Sequence, residues 1–472
     1  MTRDPFTEPW HDAVVTERAA AIDALHHATA IYTASPIVNQ LLDKLAWPDC
    51  GGQLLDPSCG DGAFLVAALE RLLARQLLSD DDIATRVAGW EIHPSACTEA
   101  RERVATKLTE MGRARTLARQ LAERIVQCGD FLTDPPVRGS IDCIVGNPPY
   151  LRWLNVPSLL RNEYTQCLPR YATNDLLHSF LDVCTTALAP DGVIALVTSD
   201  RWCYGANAAA LRRELGTKVR IHHLERLDAQ STFYRPKQRR AGTPPRIHPV
   251  AVVLREGRVS GRCLSDAPIY PGVDTQRYAG LPTLGEIAKV RIAPWLGTKG
   301  VFVVDPDVGA TLDGADLVPA VDTDDIVQGQ LQPPKRFAIR THPSISPPAS
   351  VLAHLEAHAY RMAKRGRRSK TWLPPETFHA FDLTRPSLLV PRIAKAPRAV
   401  RVPPGVLPIN HNLSIVCADG PQLDYLEAVL RSEHSAQWVR EHAAPLEGGY
   451  YSLTTTLLRR LPIADPAAAP AP

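Results

Sequence analysis

The residues whose types and spacing can do chemistry here are Asn147-Pro148-Pro149-Tyr150. The apolar run ahead of them, Ile141 to Val145, reads as a buried strand of a parallel sheet. Neither proline can donate a backbone N–H, and Pro148 restricts Asn147 before it, so the chain leaves the strand stiff and extended. In open α/β sheets, ligands bind just beyond the carboxyl ends of the strands. At that place Asn147 offers a side-chain carbonyl, Pro148 a backbone carbonyl that no helix or ladder claims, and Tyr150 a flat ring. Two acceptors beside an aromatic face suit a planar substrate that carries an exocyclic amino group. A Pro-Pro turn alone is an ordinary way to end a strand, so the weight must come from the elements that position it.

Those elements lie upstream. Gln53 to Leu65 reads as a short strand ending at Asp56, a glycine-bearing turn through Gly60 and Gly62, and a helix through Leu65, Leu69 and Leu72. The spacing is neither the dinucleotide fingerprint GxGxxG nor a phosphate-binding P-loop. An acid at the strand end argues against a bound pyrophosphate and suits a cationic or hydroxyl-bearing ligand. Val87 to Ile92 is a second strand ending in an acid, Glu91, and a carboxylate there commonly holds ribose hydroxyls. The stretch Ile125 to Phe131 holds a third, with an acid, Asp130, after the strand. Residues 192–198, following a helix over 176–189, and residues 249–254 read as further strands. Strands alternating with helices predict a doubly wound α/β sheet. Ahead of it, residues 11–30 carry apolar groups at helical spacing, and Ser35 reads as the cap of a next helix with Pro36 at its first position.

Three acids at successive strand ends followed by Asn-Pro-Pro-Tyr is an ordered set, and with it the chain resembles a family. Asp56–Leu65 (DPSCGDGAFL), Glu91, Asp130-Phe131 and Asn147–Tyr150 are similar to the motifs of S-adenosylmethionine-dependent N6-adenine DNA methyltransferases. With Tyr32-Thr33 ahead and a long segment behind, the order resembles the gamma class found in restriction–modification systems. The resemblance implies a Rossmann-like catalytic domain over residues 31–257, an N-terminal helical extension over 1–30, a mixed α+β target-recognition domain over 258–464 and a disordered tail over 465–472. It also implies roles. Thr33 with Asp56, Pro57, Ser58, Gly60 and Gly62 would hold the methionine part of the cofactor. Glu91 would take its ribose hydroxyls, Ile92 would pack on its adenine, and Asp130 with Phe131 would meet the adenine amino group and ring. Asn147 and Pro148 would accept from the target amino group, Pro149 would stiffen the turn, and Tyr150 would stack on the target base. Family members often supply a second aromatic after the fifth strand. That position falls near Asn207–Ala208, so Tyr204 is the nearest substitute, while Trp202 reads as core.

Composition bounds the rest. A net charge of +3 over 472 residues is too small to define a partner, so local clusters matter. Ten cysteines without a CxxC pair argue against zinc and against a disulfide framework, and fit a cytoplasmic protein. The polar, acidic start is unlike a signal peptide, and no apolar run is long enough for a membrane span. Residues 258–350 read as short strands and loops, 351–363 as a helix, and 423–441 as a closing helix. Two basic stretches stand out: the loop between Phe233 and His248, and the cluster Arg361, Lys364, Arg365, Arg367, Arg368 and Lys370. The cluster sits where the family recognises its target, so duplex phosphates are its expected partners. The reading is a monomeric DNA methyltransferase with any restriction endonuclease on a separate chain. The rival readings are methylation of rRNA or of a protein glutamine, and a DNA-recognition subunit without activity.

Overall fold

The computed structural model describes residues 8–75, 78–234, 248–257, 260–273, 275–362, 368–417 and 420–463. The basic stretch 235–247 and the tail from 464 lie outside the described residues. The chain forms two compact units, Met1–Gly272 and Val273–Pro472.

The first unit is built on an eight-stranded sheet. Its strands are β1 (Leu54–Asp56), β2 (Val87–Glu91), β3 (Val126–Cys128), β4 (Ile141–Gly146), β5 (Leu188–Ser199), β6 (Val219–Arg226), β7 (Pro249–Glu256) and β8 (Arg262–Cys263). Their spatial order is β8-β6-β7-β5-β4-β1-β2-β3. The pairs from β3 through β5 are parallel, and β7 runs antiparallel between β5 and β6. Residues along a central strand alternate between two cores. Val193, Ala195 and Val197 join one apolar cluster, while Ile194 and Leu196 join the other. Helices cover both faces, which is why these strands read as continuous apolar runs. Chain order reverses direction between β1 and β4, so the crevice that such sheets offer to ligands opens beyond those two strands.

Three expectations are corrected by the structure, and one strand is added. The first unit extends past residue 257 to Gly272, because β8 pairs with β6 and Leu264 and Ile269 join its core. Strand β6 was not read from the sequence, since VRIHHLER is too polar to show an apolar period. Ser35 is the first residue of its helix rather than the cap; Ala34 takes the cap position with no side-chain bond. The residues 11–30 are no separate extension. Their helix, Glu8–Thr29, seats Ala21, Ile22 and Leu25 in the same core cluster as Leu160 and Tyr164.

The second unit is mixed α+β. One antiparallel sheet joins Lys289–Ile292, Leu413–Val416, Ser387–Val390 and Val400–Val402. Helices Gly420–Arg431 and Glu433–His442 share its core through Leu423, Leu426, Trp438 and Val439. The single helix expected over 423–441 is therefore two, separated at Ser432, whose hydroxyl accepts from Ser435 N as a cap. A second sheet joins Val303–Val304, Arg336–Ile339, Leu317–Val321 and Leu407–Pro408, with helix Ala349–His358 on it through Val351 and Leu355. No helix among the described residues is long and apolar enough to cross a membrane.

The packing of residues 260–272 on the first unit is testable at Gly216. A Cβ there would come within 2.1 Å of the Leu264 carbonyl oxygen. Helix propensity favours Gly216→Ala by about 1 kcal/mol. A fixed backbone carbonyl cannot rotate away, however, and overpacking of this kind costs about 1–3 kcal/mol. Gly216→Ala should therefore lower the thermal midpoint; a midpoint at or above that of the parent would show that the segment does not pack there.

Candidate active site

The carboxyl ends of β1, β2 and β4, the loop after β3 and the chain around Ile31–Thr33 line one cleft. Of the cofactor-site candidates, Thr33, Asp56, Pro57, Ser58, Gly60, Glu91, Ile92, Asp130 and Phe131 line it. Gly62 does not. Its φ of +81° and the 3.2 Å that a Cβ would leave to Ala100 Cα give it a packing role against helix Pro94–Glu110. Of the turn, Asn147 and Pro149 line the cleft, whereas Pro148 and Tyr150 are not among its walls.

The acids are buried and differently satisfied. Glu91 accepts Gly60 N–H on one oxygen at 2.9 Å and His93 N–H on the other at 2.8 Å. Gly60 itself cannot be replaced cheaply: its φ is +54° and a Cβ would lie 2.8 Å from the Tyr32 ring. Asp130 accepts Leu132 N–H at 3.1 Å and the Tyr164 hydroxyl at 2.9 Å, and Arg18 pairs with it at 3.5 Å. Phe131 stacks on Phe180 at 5.7 Å. Burial pushes the carboxyls of Glu91 and Asp130 above the usual carboxylate range.

Asp56 differs, because one oxygen accepts Ser58 N–H at 3.1 Å while Oδ2 is buried with no partner. Burial pushes its carboxyl up to about 8, and the charges of Glu91 and Asp61 push the same way. Thr33 Oγ1 is likewise buried and unpartnered on the same cleft. An orphaned acid and an orphaned hydroxyl sharing one cavity fit a ligand bearing an ammonium group and an acceptor, as the methionine end of S-adenosylmethionine does.

The turn is pinned from both sides. Asn147 Nδ2 donates to Ile31 O at 3.1 Å, and the Tyr150 hydroxyl donates to Val197 O at 3.0 Å while touching Asn147 Oδ1. The sequence reading missed several walls of the cleft: Leu25, His26, Phe64, Tyr164 and Phe180. Tyr164 lies on helix Ser158–Cys167, one turn after Leu160. The sequence signals an apolar helix face there, but not that the ring's hydroxyl meets Asp130.

The position expected to supply a second aromatic does not reach this cleft. Trp202 is fully buried, as expected, and its ring N–H donates to Thr198 Oγ1 at 3.0 Å. Tyr204 stacks on Tyr270 at 5.8 Å and donates to Asp200. Trp202 and Asn207 line a separate pocket with Arg152 and His178.

Of the basic cluster, Lys364, Arg365 and Arg367 lie outside the described residues. The other three are committed to backbone carbonyls: Arg361 to Lys299 O at 3.0 Å, Arg368 to Pro375 O at 3.1 Å and Lys370 to Pro343 O at 2.7 Å. No group of acids, histidines and cysteines that could hold a metal ion occurs among the described residues.

Asp56 gives a pH signature. Its carboxyl titrates near 8 in the fold and near 3.8 when unfolded. The unfolded chain therefore ionises first, and stability falls as pH rises through that window. Asp56→Asn removes the penalty. In ligand-free protein its thermal midpoint should rise above that of the parent increasingly between about pH 5 and pH 8, then by a constant margin. Parallel midpoints across that range would show that Asp56 is not a buried, unpaired acid.

The comparisons agree with this geometry. Residues 92–233 match the family model described as Eco57I restriction-modification methylase. The type II methyltransferase M.PaeR7I of Pseudomonas aeruginosa is 26% identical, over 97% of this chain and 89% of its own. The type II methyltransferase M.XhoI of Xanthomonas vasicola is 24% identical, over 92% and 90%. The solved structure of the type IIL restriction-modification enzyme MmeI in complex with DNA shares the fold at a TM-score of 0.57 and 14% identity, covering 95% of this chain and 66% of that one. The chain is thus similar to type II methyltransferases along nearly its whole length, and its fold is that of a solved restriction–modification enzyme.

Proposed function

We propose that the protein transfers a methyl group from S-adenosylmethionine to the N6 amino group of an adenine extruded from duplex DNA. The observation that carries this reading is the orientation of Asn147. Its amide nitrogen is anchored on Ile31 O, so the carbonyl oxygen is the end turned toward the Tyr150 hydroxyl, and its second lone pair is left to accept from a substrate. The intact turn is the reason to prefer an enzyme over a recognition subunit, and the type II methyltransferase relatives are the reason to prefer DNA over RNA or protein.

In this reading Asp56 Oδ2 takes the ammonium of the cofactor and Thr33 Oγ1 its carboxylate, which satisfies both orphaned atoms. Glu91 keeps a second lone pair on each oxygen for ribose hydroxyls. Asp130 takes the adenine amino group, and Phe131, held by Phe180, lies against the ring. Bound there, the cofactor supplies a methyl group already activated by its sulfonium. The lone pair of an adenine amino nitrogen is delocalised into its ring. Asn147 Oδ1 and Pro148 O, accepting from its two hydrogens out of the ring plane, favour a tetrahedral nitrogen and stabilise its developing positive charge. No strong base is needed before attack, and alignment supplies much of the remaining rate. Tyr150, fixed by its bond to Val197 O, would stack on the target base. A base inside a duplex cannot reach such a turn, so the reading includes base flipping. It also includes action as a monomer in the cytoplasm, with any restriction endonuclease on a separate chain.

Incubation with methyl-labelled cofactor and separate DNA, RNA and protein fractions tests this directly. Label should appear in DNA and, after digestion to nucleosides, in N6-methyladenine; label in cytosine, RNA or protein would overturn the reading. Asn147→Ala should lower turnover by ~10²–10³, the usual loss when one acceptor at a developing charge is removed. Calorimetric affinity for the cofactor should stay near that of the parent. A variant with normal turnover would remove Asn147 from the chemistry.

A further inference from the structure

The second unit carries a concave groove of about 2170 Å³ that the basic cluster 361–370 does not line. Its cations come from Arg392, Lys395 and Arg398 on the segment between two strands, and from Arg431. Arg392 and Arg398 are exposed, and among the described residues neither side chain has a hydrogen bond or an ion pair. Lys395 lies over the Tyr450 ring at 5.3 Å. The groove's one carboxylate, Asp322, is already held by Asn412 Nδ2 at 2.8 Å and Thr323 N–H at 2.7 Å. Arg431 is paired with Glu427 at 2.9 Å, so the groove's charge comes from Arg392, Lys395 and Arg398, and the surface is cationic although the chain as a whole is nearly neutral.

The hairpin Ile326–Val327/Gln330–Leu331 also borders the groove, and its two-residue turn is Gln328-Gly329. Both turn residues have positive φ, 50° for Gln328 and 79° for Gly329. Asn, Asp or Gly suits such a position; a longer side chain with a Cβ is strained there. A second turn at positive φ, Asn410 (φ 59°) and His411 (φ 61°), borders the same groove. Strain of this kind collects where function requires it. What glutamine offers over asparagine is one methylene of reach, with an amide at its end. Gln328 and Gln330 are both exposed, and no partner holds either amide among the described residues. Arg431 ties the turn to the basic segment, donating to Ala399 O at 3.0 Å and Gly329 O at 3.5 Å.

Resting on the DNA substrate proposed above, we propose that this groove reads the base sequence of the duplex. Gln328 contacts an adenine edge in the major groove, where a glutamine amide matches the paired donor and acceptor of N6 and N7. Arg392, Lys395 and Arg398 grip the phosphates beside it, contacts that fix register without carrying sequence. This places the base-reading contact on this groove, whose Arg392 and Arg398 side chains hold no intramolecular bond among the described residues, and not on Arg361, Arg368 and Lys370, whose side chains are oriented by backbone carbonyls.

The recognition site is first obtained by sequencing the methylated positions in DNA treated with the parent protein. Methylation rates are then measured on the target duplex and on duplexes with one A·T pair replaced. Gln328→Asn keeps an amide and suits the turn better, so its thermal midpoint should equal or exceed that of the parent. It should nonetheless lose roughly 5- to 150-fold of discrimination at one A·T position. Replacing Arg392 and Arg398 by alanine should weaken target and random duplexes alike and flatten the slope of log affinity against log salt by ~0.9 for each lost contact. Cofactor affinity should be unchanged in all variants. Full discrimination in a folded Gln328→Asn protein, or an unchanged salt slope in the arginine variants, would overturn the assignment. If the parent protein methylates no DNA at all, it is the proposed function that fails, a result distinct from either.

Discussion

One hydrogen bond orders the chemical end of this protein: Asn147 Nδ2 to Ile31 O. An amide presents an acceptor in a fixed direction only if its donor end is fixed elsewhere. Here the anchor is a backbone carbonyl 116 residues earlier in the chain. That carbonyl is held in turn, because Tyr32-Thr33 pairs as a short strand with Phe233-Tyr234 and Ala34 N–H donates to Thr232 O. Three segments distant in sequence therefore meet at the one place where chain order reverses in the sheet. The stiffness of two successive prolines keeps the turn from relaxing into a helix or a ladder that would consume the Pro148 carbonyl.

The same region concentrates unfavourable electrostatics. Asp56, Glu91 and Asp130 are all buried, and burial raises all three carboxyls. Glu91 and Asp130 are offset by backbone N–H groups and by Tyr164 and Arg18. Asp56 is only half satisfied. A fold selected for stability alone would place an apolar residue there. The penalty makes sense if a ligand completes the site, since a cation arriving at Asp56 regains the interaction the empty cavity lacks. Perturbed acids collected in one cleft mark a functional site on physical grounds, independently of any relative.

The second unit obeys different constraints. Its sheets are small and mostly antiparallel, each backed by short helices, and its long connections leave polar side chains free at the surface. Such loops on a rigid frame are where recognition commonly resides. The cations nearest in sequence are not the available ones. Arg361 and Lys370 donate to the distant carbonyls of Lys299 and Pro343 and Arg368 to that of Pro375, whereas the side chains of Arg392 and Arg398, in a less conspicuous stretch, hold no hydrogen bond or ion pair among the described residues.

The sequence alone determined the alternation of strands and helices, the acids at the ends of β1 and β2 and after β3, and the turn after β4. Each of those signals is local: an apolar run, then a residue that cannot continue it. Local signals also placed Trp202 in the core, because an apolar period reports burial whatever the partner. Tertiary structure decided what depends on pairing. Strand β6 is polar in sequence and is a strand only because β7 and β8 flank it. Gly62 shares a motif with Gly60, yet one packs against a helix and the other beside the cleft, a difference set by which neighbour approaches each Cα. Tyr164, Phe180 and Leu25 become walls of the cleft through contacts made far along the chain. Whether an arginine is free or spent depends on which carbonyl the fold brings to it. Residue type and spacing fix a side chain's chemistry, but its remaining hydrogen-bonding capacity is settled only once every neighbour is in place.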